Sequence, residues 1–170
     1  MVYPASLVPS LDGKRLLMHA SGSKRLHGDK SAYLIGNQSS LLTYGLRKDG
    51  FVALSPSGGA PGVLVMRPMR WGGGELSLNA NCTGTPESAS IRVELRGADG
   101  AKALQGYGFG DSAVFASDSL GWQVAWGPRT MGGLVGKVLT VAVELRGRAA
   151  RLYAVRGRWA EPTEGVPGRE

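Results

Sequence analysis

The sequence predicts an all-β protein: an antiparallel, jelly-roll-like β-sandwich preceded by a short β-hairpin segment. Three observations carry this expectation. The 170 residues include 27 glycines and 9 prolines, about one residue in five, against an average nearer one in eight. Glycine costs up to about 1 kcal/mol in a helix interior, and it recurs too often from Gly45 to Gly147 for a helix to propagate. The hydrophobic fraction is nonetheless 42%, which is ordinary for a chain that packs a core and unlike a collagenous or disordered one. Finally, the apolar residues recur with period two between breakers, the signature of half-buried strands.

The first fifty residues read as one unit. Ser6 to Ser10 is a strand, Asp12-Gly13 a turn, Arg15 to Ala20 a second strand, Ser21 to Ser31 a polar stretch and Ser40 to Leu46 another strand. Asp-Gly between apolar segments is a turn because glycine accepts the positive φ that side chains resist. Lys48-Asp49-Gly50 is a further turn, followed by the apolar run Phe51 to Leu54 and the breakers Ser55 to Gly59.

From Val63 the period is two throughout. Ile91, Val93 and Leu95 alternate with Arg92, Glu94 and Arg96, and Leu139, Val141, Val143 and Leu145 alternate with Thr140, Ala142, Glu144 and Arg146. Candidate strands fall near 63–70, 75–80, 90–96, 103–109, 113–117, 121–126, 138–146 and 150–159, the rhythm of a sandwich. Val93-Glu94-Leu95-Arg96-Gly97 recurs as Val143-Glu144-Leu145-Arg146-Gly147. The flanks differ, so this is one local solution used twice, with outward Glu and Arg suited to cross-strand ion pairs and Gly starting a turn.

The formal charge is +7, and fourteen of the 20 basic residues are arginine. Most are interspersed with acids. Arg146, Arg148, Arg151, Arg156 and Arg158 cluster, which leaves a basic nucleic-acid-binding β protein as one alternative beside solvated sheet faces. The lone Cys82 excludes an intrachain disulfide and a cysteine-cluster metal site, and reads as a small strand residue. No apolar run approaches the eighteen or so residues that span a membrane, and no signal segment opens the chain.

Chemistry is sparse. His19 and His27 stand in no metal-ligand spacing, no G-x-S-x-G elbow occurs, and neither Gly72-Gly73-Gly74 nor Gly106 to Gly110 is followed by a helix that would make a phosphate cradle. No metal or cofactor is implied. Asp111 and Asp118 could form a glycosidase pair, or each could cap its own turn. Among the aromatic residues, Tyr107 sits between glycines in a loop and reads as an exposed ring able to stack on a sugar, while Trp122 and Trp126 share a face with Val124 that is either a carbohydrate platform or core. Tyr107, Trp122 and Asp111 are the carbohydrate-binding candidates. A free-standing enzyme would draw on His27, Asp49 and Asp111.

The succession Lys48 to Leu54, Gly74 to Asn79, Ile91 to Leu95, Gly106 to Ser112, Trp122 to Trp126 and Gly136-Lys137 leading to Leu152-Tyr153 resembles the C-terminal part of proteins of glycoside hydrolase family 32. There a five-bladed β-propeller carries catalysis and a β-sandwich follows. The resemblance spans about Pro4 to Val155. It implies that residues 1–46 are similar to the last propeller blade, with His27-Gly28 in its polar loop, that Arg47 to Phe51 leads into a sandwich over 47–160, and that 161–170 is a disordered tail. The family's Arg-Asp-Pro and Glu-Cys motifs do not occur, so no catalytic role carries over. The implied function is a non-catalytic, carbohydrate-associated sandwich, a fragment of a glycosidase whose propeller is missing, with carbohydrate or a propeller catalytic domain as partner. A free-standing glycan-binding module is the alternative. The parent could be secreted.

Overall fold

The computed structural model describes residues 2–23, 39–82 and 88–162. Among the described residues every regular element longer than a 3-10 turn is a strand, and the strands pair antiparallel. The chain divides into two compact units, Met1–Phe51 and Val52–Glu170.

The first unit is a three-stranded meander rather than a single hairpin. Strands β1 (Val2–Pro9), β2 (Arg15–Ser23) and β3 (Ser39–Arg47) lie in the order β1-β2-β3. The Asp12-Gly13 turn forms as its residues dictate. Gly13 takes φ 66°, and the Asp12 carboxylate accepts the Ser10 hydroxyl at 2.6 Å and the Lys14 N–H at 3.0 Å, an Asx turn. The Ser10 hydroxyl, then the Lys14 N–H, hold the Asp12 carboxyl below the usual carboxylate range. Ser21 to Ser23, expected in a polar loop, instead extend β2, while His27 and the rest of that loop lie outside the described residues. Asp49, at φ 51°, turns the chain toward Phe51; Asp tolerates this left-handed conformation better than most residues.

The second unit is a sandwich of two sheets. One has the order β10-β6-β8, from β6 (Ser77–Cys82), β8 (Asp118–Gln123) and β10 (Ala150–Arg156). The other is centred on β9 (Val138–Arg146), with β7 (Ser90–Arg96) along one side and β4 (Gly62–Val65), then β5 (Met69–Trp71) with β11 (Trp159–Ala160) beyond it, along the other. Between the sheets lies one core that includes Trp71, Leu78, Ile91, Val93, Phe115, Trp126, Leu139, Val141, Val143 and Leu152.

Three expectations change. The single strand expected near 63–70 is one line along β9 broken at Arg67-Pro68. Met66 still donates its N–H to Val141, whereas proline has no N–H to continue the ladder. The expected strand at 121–126 runs from Asp118 to Gln123, leaving Trp126 in the loop beyond.

The largest change concerns 103–109 and 113–117, which are not strands. They touch the sheet through the isolated bridges Arg96↔Ala103 and Ile91↔Phe115. Gly106, at φ 79°, turns the chain, and Tyr107 N–H donates back to Leu104 while Asp111 and Ser112 N–H donate to Gly108. Extended pairing cannot survive that many reversals. The segment nevertheless caps the outer edge of β7. Leu95 N–H donates to the Tyr107 carbonyl, Val93 N–H donates to Ser112 Oγ at 3.0 Å, and Trp126 Nε1–H donates to the Val93 carbonyl at 2.8 Å. An exposed edge is a template for aggregation; here loop and side chains occupy it.

Candidate functional site

The three residues expected to bind sugar have different surroundings in the structure. Tyr107 is a correction: its side chain is 8% exposed, not an open ring. It stands edge-on to Trp126 at 5.4 Å, donates its hydroxyl to the Thr130 carbonyl at 2.7 Å, and carries the Arg129 guanidinium 5.8 Å from its ring. The preceding glycine explains the burial. A Cβ on Gly106 would lie 1.9 Å from Arg129 Nε, so the missing side chain lets Arg129 close over the loop. No ring face is left for a sugar.

Trp122 is half-buried and packs against Phe115 at 5.2 Å, a different partner from that of Tyr107. Residues 122, 124 and 126 share the inward side while 121, 123 and 125 are exposed, so this face belongs to the core. Asp111 is exposed and accepts the Gly108 N–H at 3.0 Å, which is the turn-capping role.

The acidic residues of the repeated pentapeptide are also employed structurally. Glu94 pairs with Arg96 at 2.7 Å and Glu144 with Arg146 at 2.8 Å. Both pairs lie two residues apart on one strand, not across strands as expected. Residues i and i+2 share a face of the pleat, and that sufficed. Nor does Glu94 face open water: Phe109 N–H donates to it at 3.3 Å, and the Arg96 guanidinium donates to the Gly100 carbonyl. The loop after β7 thus lies over charges that the alternation placed outside. Arg146 is exposed and held protonated by Glu144, while Arg156 donates to the Leu120 carbonyl.

Cys82 is buried, and desolvation pushes its thiol up to about 11 despite a backbone hydrogen bond at Arg151. A thiol so placed is inert as a nucleophile. Among the described residues no group of three or more His, Cys, Asp or Glu could hold a metal ion, and no helix is long and apolar enough to cross a membrane.

A concave feature lies elsewhere. A cavity of about 250 Å³ is bounded by Val52, Ala53 and Leu54, by Leu64 and Met66 along the β4 line, and by Leu152 to Val155 of β10. It opens at the side of the sandwich where β10 pairs with Leu54 alone, through two backbone hydrogen bonds at Leu152 of 2.8 and 3.0 Å. At ~30 Å³ per water, this space suits one small ring. Its lining is aliphatic, with Tyr153 the single aromatic and the single hydroxyl-bearing residue. Such a site can bury an apolar face and orient one polar group; it offers no acid or base for chemistry. The signal in the sequence was the run Phe51 to Leu54, whose Val52 is 78% exposed.

The fold defines an all-β, two-sheet sandwich joined to a three-stranded antiparallel meander. The chain matches no protein-family model, no curated protein and no solved structure.

Proposed function

We propose that this chain is a non-catalytic, carbohydrate-associated β-sandwich module, similar to the C-terminal part of a family 32 glycoside hydrolase, that supports a propeller catalytic domain. The observation that carries the reading is the order of its parts. A three-stranded antiparallel meander, one strand short of the four of a propeller blade, is followed through Arg47 to Phe51 by a two-sheet sandwich. The exposed apolar side chains of the meander, among them Leu7, Leu11, Leu41 and Tyr44, suit a unit that packs into a larger assembly.

The engagement of the carboxylates supports the non-catalytic half. Asp111 caps a turn, and Glu94 and Glu144 are committed to neighbouring arginines. The cavity beside Tyr153 supports the carbohydrate half, since an aliphatic wall with one phenol matches the apolar face and hydroxyl rim of a sugar ring. The test is a panel of β-fructans, sucrose, and sialylated and uronic glycans titrated into the protein at up to millimolar concentration. Binding weakened by Tyr153→Ala supports the reading. Absence of binding to every glycan removes the carbohydrate half and leaves the supporting role.

A further inference from the structure

Two departures from regular pairing build the cavity beside β10. Leu152 lies opposite Ala80 and Ala154 opposite Asn79, so Tyr153 is an extra residue, a bulge on β10. Before it the strand alternates, with Ala150 and Leu152 buried and Arg151 exposed; from Tyr153 to Arg156 every residue is half-buried. A bulge bends its strand and re-aims side chains, and here the four successive residues 152–155 border one space. Across that space Leu54 meets Leu152 in an isolated bridge, and Val52 and Ala53 border the opening instead of continuing a ladder.

The walls are chemically uniform. Leu54, Leu64, Met66, Leu152 and Val155 present hydrocarbon and one thioether, and among the described residues no charged side chain borders the cavity. The cations next along the chain are engaged elsewhere: Arg67 pairs with Glu161, and Arg156 donates to the Leu120 carbonyl. Val52 and Leu54 stay 78% and 49% exposed, so the space opens to water on their side. A ligand there must bury an apolar corner and leave its hydroxyls at the mouth. A hydroxyl pressed against these walls without a partner costs about tenfold or more in affinity, and an ionised group costs more still. A buried methyl in the same place gains about fourfold.

We propose that the cavity binds a neutral 6-deoxyhexose, with its C6 methyl inward against Leu64, Met66 and Leu152 and its ring hydroxyls at the mouth. The proposal rests on the carbohydrate reading above and names the substrate class of that site. A 6-deoxyhexose is the sugar whose shape matches this division, because its C6 methyl is a corner of the ring that carries no oxygen. An ordinary hexose puts a hydroxyl at that corner, and a uronic acid puts a carboxylate there with no cation on the wall to meet it.

The test titrates the full chain calorimetrically with matched pairs of methyl glycosides: D-fucose with D-galactose, L-fucose with L-galactose, and L-rhamnose with L-mannose. Each pair differs by one C6 hydroxyl. Methyl D-galacturonoside and cyclohexanol, a ring that is not a sugar, complete the set. The expected result is at least one 6-deoxy glycoside that binds about tenfold or more tighter than its partner, with the galacturonoside weaker than the D-fucoside. That preference is expected to shrink to about threefold or less in M66Q, which sets an amide against C6 with little change of volume, while the circular dichroism spectrum is unchanged. Should M66Q misfold, amide shift changes in the native protein on adding the tightest 6-deoxy glycoside decide, expected at residues 52–54, 64–66 and 152–155. Changes confined to other residues would overturn the proposal, as would an undiminished preference in folded M66Q or tighter binding of cyclohexanol than of every glycoside. Equal affinity within every pair overturns this inference while sparing the carbohydrate reading. Binding of no glycoside overturns this inference, and the β-fructan and glycan panel above then decides the carbohydrate reading separately.

Discussion

The central strands of the two units make the same kind of ladder and meet different fates. β2 pairs with β3 through nine consecutive residues and with β1 on its other side, yet among its residues only Ala20 is fully buried. β9 is likewise flanked by strands on both sides, and six of its nine residues are buried, including Thr140 and Ala142, which the alternation points away from the core. The difference is the covering layers. The β10-β6-β8 sheet covers one face of β9, and the loop after β7 covers the other, with Gly100 against Thr140. Ladder hydrogen bonds exchange for bonds to water and yield about 1 kcal/mol each net; burial of a large apolar side chain yields about 1.5–3 kcal/mol. Pairing therefore shapes both units, and packing stabilises chiefly the second.

The widest contrast is expected in hydrogen exchange. Amides of β9 are expected to open only with global unfolding, and those of β1 and β3 through far cheaper local opening; equal protection in both units would break the comparison. Next in size, Trp126→Ala removes a core ring and the donor to the Val93 carbonyl, at an expected cost of about 3–5 kcal/mol in denaturant unfolding. The same substitution placed in each unit sharpens the point. Leu78→Ala, at a fully buried site, is expected to cost about 2–5 kcal/mol, whereas Leu41→Ala, 79% exposed, stays within about 0.5 kcal/mol.

Gly147→Ala tests the turn closing β9 onto β10. Gly147 has φ 75°, and a Cβ there would fall 1.8 Å from the Ser88 carbonyl oxygen, so a loss above about 1 kcal/mol is expected. An effect confined to alkaline pH concerns Cys82. Its folded pKa is raised to about 11 from 9.0, so the folded state holds the proton that the unfolded chain releases. Stability is whole below pH 9 and falls as pH rises toward 11. Substitution by Ala or Ser is expected to abolish that part of the slope in pH-dependent unfolding.

The sequence made the strands around β9 legible because Ile91 to Leu95 and Leu139 to Leu145 put apolar residues on one face at period two. It hid the second cover. Nothing in the spacing of Glu94, Arg96 and Thr140 indicates that a loop will lie over them, since that depends on reversals at Gly100 and Gly106 acting together with distant partners. The same cause misled over Tyr107. Glycines beside a ring read as an exposed loop, but here Gly106 makes room for Arg129, which then closes over the ring. Asp111 illustrates the opposite case, because turn capping is local and its partner, the Gly108 N–H, lies three residues away. The cavity beside Tyr153 needed two sheets and the Leu54 bridge to exist, so the run Phe51 to Leu54 marked one wall of it and not the space itself.

The most direct test of the chain as a non-catalytic, carbohydrate-associated module is one calorimetric titration of the full protein with β-fructan and uronic oligosaccharides, with the recovered sugars analysed by chromatography. The expected result is a saturable binding heat with every oligosaccharide recovered intact. Release of shorter sugars, lost in Asp111→Asn, would contradict it by making the chain an enzyme in its own right.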